Sequence, residues 1–553
     1  MVHSMAQSQD YDFIIVGAGS AGCVLADRLS ESGRFSVLLI EAGGSDRKFW
    51  ITLPVGYGFT FSDPKVNWCY TTAADPGLSG RRVFWPRGRV LGGSSSINAM
   101  AYVRGLPHDF DDWEKSGAKG WGWGAVRKAF AALESHEERS PEGRIRRRGT
   151  GPVRVSDLRT EMHPFSQNFL AAAQDMGWPV LDDMNAETAA DSNTPQGEGL
   201  GYVRSTVRKG RRWSSADAFL RPAQSRANLT VISQALVEKL TLKEGRAVGV
   251  TYRQGGAVHK VGANREVILS AGAVNSPQIL QLSGLGPADL LQRHGVTVVA
   301  DLPEVGQGLQ DHLAVSHNFW ATAPTLNARL GSFLGQMRAG GQYILTRRGP
   351  LSVPVNQVSG FARTEGAELP NVQLYCNPAT YETLPSGKPQ LDRDNGFVLS
   401  VQPSRPTSRG SVEIRSVDPA VAPLIQPNSL ASEQDQQVAV QATRLLQNLA
   451  QTPALTGVTR ERRAPDLLAL EDAALLENFR NRASTVFHAS CTCRMGRDAQ
   501  NSVLDARLRV HGIRGLRVID ASAFPNVTSG NTNAPTLMLA ARAADMVLED
   551  NHA

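Results

Sequence analysis

The sequence predicts an α/β fold, because its first fifty residues read as a strand, a helix and a second strand. Two short apolar runs, Phe13–Val16 and Val37–Ile40, are rich in aliphatic side chains and flanked by glycine, as buried parallel strands are. The segment between them, SAGCVLADRLSES, places small, apolar and polar residues at helical spacing. This order is that of a βαβ unit, from which parallel sheets are built.

Length and composition indicate the class of protein. With 553 residues, 41% hydrophobic and 20% charged, the chain can bury a sizeable core and is expected to form more than one domain. These values exclude a disordered or fibrous protein. Five scattered cysteines are too few for the disulfide scaffold of a secreted protein. The first residues lack the zones of a signal peptide and no run of about 18 apolar residues occurs, so we expect a cytoplasmic protein without a transmembrane segment.

The net charge of +6 includes a basic cluster, RIRRR, from Arg144 to Arg148. Such a cluster can attract nucleic acid or an acidic substrate. No aromatic residues are interleaved with it, so we favour a solvated loop and no nucleic-acid partner. The surrounding stretch from Ser140 to Gly151 is rich in proline, glycine and charge, and it marks a domain boundary or a long surface excursion.

Three later regions have informative patterns. The stretch WPRGRVLGGSSSINAMAYVRG (85–105) is typical of a loop that leads into a helix, and its glycines allow the backbone to approach a ligand closely. The segments NLTVISQALVEKLTL and REVILSAGAVNSPQILQLSGLG form a second strand-rich block. Residues from about 315 to 480 mix strand-like and turn-like patterns, which favours several strands of one broad sheet.

A glycine-rich turn follows the first strand. GAGSAG places Gly17, Gly19 and Gly22 in the G-x-G-x-x-G pattern, with Ser20 and Ala21 between the last two. The first glycine makes a tight turn, the second admits a pyrophosphate, and the third lets helix and strand pack closely. The phosphates then lie against free N–H groups at a helix N-terminus. Because glycines open many loops, this pattern needs a second observation.

That second observation is Glu41, which ends the second strand 19 residues after Gly22 and is followed by Ala42. An acidic side chain at this position can accept hydrogen bonds from ribose hydroxyls. It also disfavours a 2′-phosphate, so the combination predicts a dinucleotide other than NADP. The spacing does not separate NAD from FAD.

Five longer motifs resemble landmarks of one family. GRVLGGSSSINAMAYVRGLPHDFDDW (88–113) and LSAGAVNSPQILQLSGLG (269–286) resemble the two signature segments of the glucose–methanol–choline (GMC) oxidoreductases, which bind FAD. LPEVGQGLQDHL (302–313), FHASCTCRMG (487–496) and LRVIDASAFPNVTSGNTNAPTLMLAARAAD (516–545) are similar to further landmarks, in the family's order. The resemblance covers essentially the whole chain and is greatest to the bacterial choline, sorbose and alcohol dehydrogenase branch.

This resemblance implies a GMC fold, with a Rossmann-like FAD-binding domain and a substrate-binding domain built on a large antiparallel sheet. The first would comprise residues 8–158, 205–314 and 484–553, and the second residues 159–204 and 315–483. The implied reaction is the oxidation of a primary or secondary alcohol to the aldehyde or ketone, with hydride passing to flavin N5. Electrons would then pass to a non-NAD acceptor: a quinone, a dye-like acceptor or O₂.

Hydride removal from an alcohol carbon needs a base, because positive charge would otherwise build up on the forming carbonyl. Histidine suits this task, since its unperturbed pKa of about 6.5 leaves it largely neutral. The resemblance assigns this role to His488, and it places the group that holds the alcohol oxygen in SGNTNAPT, at Asn531 or Asn533. We favour Asn531, which follows the glycine. An amide cannot act as a general base, so His488 is the predicted proton acceptor.

The resemblance also implies further cofactor contacts. Ile97 stands where some relatives attach the flavin covalently through a histidine, so we expect non-covalent FAD. Trp68 would border the flavin ring or serve packing alone, and the backbone of Val237 would meet the adenine. With the residues of the glycine-rich turn, the predicted contacts are Glu41, Ala42, Trp68, Gly92, Gly93, Ser94, Asn98, Ala99, Met100, Ala101, Val237, Asp520, Ala521 and Asn533.

The cysteines and remaining histidines near the motifs are interpreted as structural. FHASCTCRMG lacks a second Cys/His pair, so no metal site is predicted, and C-x-C is not a thioredoxin-like C-x-x-C. If the stretch is a strand, Cys491 and Cys493 point the same way and pack as small apolar groups. His312 is expected to stabilise a turn near the domain junction, and His511 to face solvent.

Several alternatives stay open at this point. Dehydrogenase is favoured over an oxidase that makes H₂O₂ from O₂; a non-catalytic flavoprotein and a nicotinamide-dependent dehydrogenase are the other candidates. Choline would require a carboxylate or an aromatic cage around its trimethylammonium group. Tyr375, Tyr381 and Glu382 lie in the predicted substrate domain, but the sequence does not place them in a pocket. The substrate and the oligomeric state are therefore undetermined.

Overall fold

The computed structural model describes residues 10–140, 142, 144–186, 197–383, 389–462 and 466–552. Within these residues seven strands form a mixed sheet, called here the N-terminal sheet. Its spatial order is Leu229–Ile232, Val37–Ile40, Tyr11–Val16, Ala257–Leu269, Arg246–Gln254 and Ala235–Lys243, and Leu516–Val518 pairs with Ala257–Leu269.

The parallel part of this sheet confirms the predicted βαβ unit. Tyr11–Val16 pairs in parallel with Val37–Ile40, and helix Ser20–Ser30 connects them. Side chains of both strands are buried almost throughout, as expected where helices cover both faces. The long strand Ala257–Leu269 links the two parts of the sheet, because its first half pairs antiparallel with Arg246–Gln254 and its second half parallel with Tyr11–Val16.

The broad sheet expected between residues 315 and 480 is also present. All of its pairings are antiparallel, and the strands next to its centre are buried along their length. Within the described residues its order is Val358–Ala362, Val372–Asn377, Gly396–Pro403, Leu313–Ala321 and Thr459–Arg462, with Ser484–Thr485 beside the start of Leu313–Ala321. We call it the antiparallel sheet.

The remaining elements surround these sheets. The longer helices are Ser20–Ser30, Pro107–Lys115, Trp123–Leu133, Ser166–Asp175, Gly272–Leu282, Phe333–Thr346, Glu433–Ala450, Asp472–Arg482 and Asn533–Asn551, and the shorter ones are Phe49–Thr52, Tyr57–Thr60, Arg221–Ala223, Ala288–Arg293, Leu326–Leu330 and Pro453–Thr456. Five small two-stranded sheets pair Tyr70–Thr71 with Phe84–Trp85, Val180–Leu181 with Gly199–Tyr202, Val207–Arg208 with Arg211–Arg212, Leu285–Gly286 with Ala300–Asp301, and Tyr381–Thr383 with Pro389–Leu391. A small three-stranded sheet has the order Gln307–Leu309, Gly410–Glu413 and Leu424–Gln426.

Buried apolar side chains form a large core around each sheet. Phe13 and Val267 belong to the core of the N-terminal sheet, and Phe319 and Leu399 to that of the antiparallel sheet. The molecule thus has the α/β fold, with a Rossmann-like unit and a large antiparallel sheet, that the sequence predicts. The exact domain boundaries remain a proposal. Among the described residues, no helix has both the length and the apolar character needed to cross a bilayer.

The basic cluster is exposed, as expected, but the prediction that it forms a loop is wrong. Ile145–Arg148 is a strand that pairs antiparallel with Glu134–Arg139. Cross-strand ion pairs join Arg147 to Glu137 and Arg148 to Glu138. These acidic residues, which lie several positions earlier in the sequence, stabilise the pairing of the two strands. The composition of the basic stretch alone does not reveal this pairing. Residues 145–148 of the stretch from Ser140 to Gly151 therefore form an exposed, paired strand.

Candidate active site

A cavity of about 1210 Å³ extends from the glycine-rich turn to the face of the antiparallel sheet. It is larger than the roughly 300–1,000 Å³ of a usual small-molecule pocket. Gly19 and Glu41 line its N-terminal end, whereas Ser316, Tyr375 and Ser400, all from the antiparallel sheet, line the other. A space of this extent can hold an extended cofactor and a substrate at the same time.

The glycine-rich turn leaves open space for a ligand at Gly19, whereas at Gly17 and Gly22 it makes close backbone contacts. Gly17 has φ +98°, and a Cβ there would lie 2.6 Å from the carbonyl oxygen of Ser270. A Cβ on Gly22 would lie 1.8 Å from the carbonyl oxygen of Gly17, as the predicted close packing requires. A Cβ on Gly19 would approach only Ser270 O, at 3.9 Å. Gly19 precedes helix Ser20–Ser30, so its open side lies where helix N–H groups can bind phosphate.

Glu41 closes the same end of the cavity. Its carboxylate accepts hydrogen bonds from the backbone N–H groups of Ala18 and Gly43, each at 2.8 Å. Burial raises the pKa of Glu41 to about 7, against the opposing effect of these two N–H donors. Because the side chain is fixed by backbone contacts and still lines the cavity, it is positioned to accept a hydrogen bond from a ribose hydroxyl.

Most of the other predicted contact residues also line this cavity. Two of the predicted residues, Gly22 and Gly92, are not part of the lining; Gly92, at φ +85°, faces Ser96 and Ala216 instead. Asp520 lines the cavity, but its carboxylate is bonded to the N–H of Gly272 and the hydroxyl of Ser276. The predicted residues in the lining are Gly17, Gly19, Ser20, Ala21, Glu41, Ala42, Trp68, Gly93, Ser94, Asn98, Ala99, Met100, Ala101, Val237, His488, Asp520, Ala521, Asn531 and Asn533.

His488 lies on a strained loop where the two sheets meet. The preceding residue, Phe487, has φ +72°, a conformation that non-glycine residues rarely adopt and that is common at functional sites. Asp311 fixes this loop, since its Oδ1 accepts from the backbone N–H of His488 at 2.7 Å and from that of His312 at 2.9 Å. Arg87 Nη1 donates to the Phe487 carbonyl at 2.7 Å. The loop is therefore fixed from two sides.

Hydrogen bonds determine the protonation of the His488 ring. His312 Nε2 lies 3.0 Å from the carbonyl oxygen of Ser404, which can only accept, so this nitrogen carries the proton. In neutral His312, Nδ1 is then an acceptor, and the His488 Nδ1 at 2.9 Å must be the donor. The lone pair of neutral His488 therefore lies on Nε2, which faces the cavity beside Asn531 Nδ2 at 3.1 Å.

Both imidazole rings are neutral at ordinary pH. Burial lowers the pKa of His312 to about 4. Burial, followed by the nearby His312 and Arg87, holds the pKa of His488 well below its usual value of 6.5. A buried, neutral imidazole with an oriented lone pair is suited to accept a proton from a bound hydroxyl group.

Asn531 and Asn533 have different surroundings. Asn531 Nδ2 contacts His488, whereas Asn533 Oδ1 accepts a hydrogen bond from the Ser20 hydroxyl at 2.8 Å. Asn533 begins the last helix, Asn533–Asn551, and lies at the glycine-rich end of the cavity. The geometry therefore pairs Asn531, and not Asn533, with the histidine.

Three expectations for this region need correction. Cys491 and Cys493 are buried as expected, but they lie in a loop and not on a strand, because Cys491 has φ +72°. His511 is half-buried, and its Nε2 lies 3.1 Å from the Ser502 hydroxyl. His312 does more than stabilise a turn, because it contacts His488 directly. Among the described residues, no group of His, Cys, Asp and Glu could hold a metal ion.

Sequence reasoning missed the residues that support His488. Asp311 and His312 stand in the motif LQDHL, and the available signal was that this motif, like FHASCTCRMG, resembles a landmark of the family. The two motifs lie side by side, with backbone hydrogen bonds between Gln310 and Ser490. No local pattern pointed to Arg87 or to the carbonyl group of Ser404.

The chain matches the models of one protein family over most of its length. The N-terminal model of the family described as GMC oxidoreductase matches residues 11–314, and its C-terminal model matches residues 406–540. Both motifs that meet at His488 lie inside these matched ranges.

Individual proteins and solved structures are similar over nearly the full chain. The oxygen-dependent choline dehydrogenase of Vibrio vulnificus is 42% identical, over 98% of this chain and 94% of that protein. The alcohol dehydrogenase (acceptor) of Pseudomonas putida is 39% identical, over 97% and 96%. The crystal structure of pyridoxine 4-oxidase from Mesorbium loti is 30% identical and superposes with a TM-score of 0.85, covering 98% of this chain and 99% of that one.

Proposed function

Because the chain belongs to the GMC oxidoreductase family, and so acts on CH–OH donors, we propose that it uses FAD to oxidise an uncharged alcohol with an apolar chain. The observation that carries this proposal is the pair His488 Nε2 and Asn531 Nδ2, 3.1 Å apart at the wall of a cavity that continues to the glycine-rich turn. One group can accept a proton and the other can donate a hydrogen bond, which together are what a reacting hydroxyl group needs.

The residues present fit FAD. The open side of Gly19 and the N-terminus of helix Ser20–Ser30 would hold the pyrophosphate, and Glu41 would bind a ribose hydroxyl. When bound, FAD supplies the acceptor for the hydride that leaves the alcohol carbon. Ile97 lines the cavity and offers no nucleophilic atom, so we propose that FAD is held without a covalent bond.

In the proposed mechanism the alcohol oxygen lies between the two side chains. Asn531 Nδ2 donates a hydrogen bond to this oxygen, and His488 Nε2 takes its proton. The imidazolium that forms keeps its Nδ1–H bonded to the neutral His312, so the ring holds its direction during the reaction. Asp311 and Arg87 keep the loop in place and themselves transfer no proton.

The lining of the substrate end favours an uncharged, apolar alcohol. The lining residues there include the apolar Leu326, Leu330, Val355 and Leu391, the aromatic Tyr381, and the polar Ser316, Asn377 and Ser400. Among the described lining residues, the only carboxylates are Glu41 and Asp520, which belong to the nucleotide end. A lining with several aliphatic and aromatic side chains and no carboxylate at this end suits an uncharged alcohol with an apolar chain.

Choline is the second candidate. It is favoured by the names of relatives such as the Vibrio vulnificus choline dehydrogenase and by the aromatic residues of the lining, which include Tyr57, Phe61 and Tyr381. Aromatic faces attract a quaternary ammonium group by about 0.5–2 kcal/mol. With no carboxylate among the described residues of the substrate end, we rank choline below an uncharged alcohol.

For the electron acceptor we propose a quinone or similar compound and not O₂. Support comes from the name of one relative, the alcohol dehydrogenase (acceptor) of Pseudomonas putida. The name of the oxygen-dependent choline dehydrogenase of Vibrio vulnificus favours O₂ instead. The similar solved structures include oxidases, so the oxidase is the alternative.

Anaerobic reduction of the purified protein by a panel of alcohols tests these proposals. The panel contains octanol, benzyl alcohol, choline and glucose, and the bleaching of the flavin band near 450 nm, roughly where oxidised flavin cofactors absorb, is followed by stopped flow. We expect octanol or benzyl alcohol to reduce the flavin faster than choline at equal concentration. Faster reduction by choline would show that choline is the better substrate. If no alcohol bleached the flavin, the proposed enzymatic role would be contradicted.

Repeating the panel in air, with peroxide measured, tests the acceptor. We expect slow peroxide formation and rapid turnover with a soluble quinone. Stoichiometric peroxide at the rate of flavin reduction would identify an oxidase.

A further inference from the structure

The helix Phe333–Thr346 presents its apolar side chains to solvent. Phe333 is 78% exposed and Leu345 is 85% exposed, and Leu334, Met337 and Ile344 are also exposed. Only Ala339 and Tyr343 of this helix are buried within the described residues. A surface helix normally buries its apolar stripe, so this helix, called here the surface helix, departs from the usual pattern by exposing its large apolar side chains.

The exposed residues form a continuous face. Phe333, Leu334, Met337, Ile344 and Leu345 fall at positions that lie on one side of a helix, with the small Gly340 and Gly341 between them. Exposed apolar patches of this kind on a soluble domain mark a binding surface for protein or membrane.

Two further exposed aromatic residues lie on an element that is linked to the surface helix through two short turns. The exposed Phe49 and Trp50 lie in helix Phe49–Thr52, which packs against the turn Pro54–Gly56. That turn packs against Pro350–Ser352, as the surface helix does. Tryptophan, phenylalanine and leucine are typical of the apolar face of helices that lie in the membrane interface.

The charges within the segment that contains the surface helix are of one sign, and the acidic Glu161, from outside this segment, lies 3.9 Å from Arg348 Nε. Between residues 326 and 348 the sequence contains Arg329, Arg338, Arg347 and Arg348 and no acidic residue. Arg329 and Arg338 are exposed. A helix with an apolar face and arginines beside it is the pattern that lies in the interface of an anionic membrane.

We infer that the surface helix, with Phe49 and Trp50, docks this protein on the surface of an anionic phospholipid bilayer. Apolar side chains would enter the boundary between headgroups and acyl chains, and the arginines would pair with lipid phosphates. A protein partner would be expected to supply acidic residues instead, and a second copy of this chain would bring arginines against arginines.

Docking would place the cavity next to the lipid. Leu330, at the end of the helix that precedes the surface helix, lines the cavity, and so do Val355 and Asn356, which follow it. The segment from 326 to 356 therefore has one face on the cavity and the other on the proposed membrane surface. Lipophilic molecules dissolved in the bilayer would reach the cavity without crossing bulk water.

Sedimentation of the FAD-loaded full chain with vesicles tests the inference. Vesicles of phosphatidylcholine are compared with vesicles that also contain roughly 30% phosphatidylglycerol. We expect binding to the anionic vesicles that weakens in high salt, because screening removes the contribution of the arginines. The double variant F333E/L345E should bind at least about tenfold less, since two charges would enter the apolar boundary.

The matched control is V258E/V299E, which adds the same two charges at exposed valines near the N-terminal sheet. It should bind vesicles like the unmodified protein, and both variants should retain FAD and flavin reduction by alcohol. Failure of the unmodified protein to bind anionic vesicles would overturn the inference, as would equal binding by F333E/L345E. If light scattering instead shows a dimer that F333E/L345E converts to a monomer, a second copy covers this face and the lipid assignment is wrong.

Discussion

The chemistry proposed for His488 depends on which of its ring nitrogens carries the proton. A chain of hydrogen bonds that begins at the Ser404 carbonyl and passes through His312 determines this, without any charged partner. The arrangement differs from a histidine held by a carboxylate, because Asp311 binds the backbone N–H of His488 and not its ring. The ring is therefore oriented but not made more basic by a neighbouring negative charge.

The first prediction concerns the two groups that face the substrate. His488→Ala should slow flavin reduction by alcohol by roughly 10²–10⁴-fold while FAD content is unchanged, because general base catalysis is lost. Asn531→Ala should cost about 2–4 kcal/mol, the scale of one hydrogen bond to a developing charge. Stopped-flow reduction measures both. His511→Ala is the matched control, and a near-normal rate in His488→Ala would refute the assigned base.

His312→Ala tests the orientation of the base. Removing His312 leaves the buried Nδ1–H of His488 without an acceptor, which costs about 1–3 kcal/mol. We expect reduction to slow by roughly 10–100-fold, less than in His488→Ala, with FAD retained. An unchanged rate constant would show that His312 does not orient the ring.

The pH dependence of flavin reduction follows from the low pKa of His488. Since burial, His312 and Arg87 hold this pKa well below 6.5, the neutral form that accepts a proton predominates at pH 6.5 and above. Reduction rates should be constant in that range and fall only when the pH drops well below 6.5. Arg87→Gln removes a positive charge, raises the pKa and should move the fall toward higher pH. A profile in which activity is lost already as the pH falls toward 7 would contradict this assignment.

At the scale of elements, the strands of the N-terminal sheet were predictable because they are buried on both faces and so consist of short, continuous apolar runs. The expectation that Cys491 and Cys493 point the same way, which assumed a strand at FHASCTCRMG, is wrong. Positive φ angles at Phe487 and Cys491 break any strand there. Such angles are imposed by contacts with Asp311 and Gln310, which lie far away in the sequence.

The glycine-rich turn provides a test at this scale. Gly17→Ala would place a Cβ 2.6 Å from the Ser270 carbonyl oxygen, so the turn must shift and FAD binding should weaken strongly. Gly33→Ala is the matched control, since Gly33 also has positive φ (+72°) but no neighbouring atom within 4 Å. FAD content after purification, read from absorbance, distinguishes the two. Equal FAD content would show that the turn tolerates a side chain.

At the scale of the whole molecule, a buried charged cluster joins segments far apart in the sequence. Glu134 accepts hydrogen bonds from Arg104 and from the Tyr102 hydroxyl, and His136 Nε2 lies 3.0 Å from Asp183. Burial alone would raise the pKa of Glu134, but His136 and Arg104 outweigh it and lower the pKa to about 2. The same kind of contact, with Asp183 and Glu134, raises the pKa of His136 against burial.

This cluster predicts how stability depends on pH. The contribution of Glu134 is present above its unfolded pKa of about 4.5 and is lost as the pH falls from there toward 2; that of His136 is complete below about 6.5 and is lost at higher pH. The cluster should therefore contribute most to the free energy of unfolding between about pH 4.5 and pH 6.5, which thermal unfolding at several pH values measures. Glu134→Gln should cost about 3–5 kcal/mol there, and its difference from the unmodified protein should shrink toward pH 2. A difference that does not vary with pH would exclude this role.

The sequence by itself determined the βαβ unit, the glycine-rich turn, the position of Glu41 and the choice of His488, because each depends on residues close together in the chain or on a long motif. Only the tertiary structure decided that Asn531 and not Asn533 meets His488, that His312 orients its ring, and that the surface helix exposes its apolar face. His312 and His488 are 176 residues apart in sequence, and the hydrophobic pattern of a sequence cannot predict a contact over such a separation. An apolar stripe likewise predicts a helix. Whether the stripe is buried in a core or exposed to solvent depends on how the rest of the chain packs around the helix.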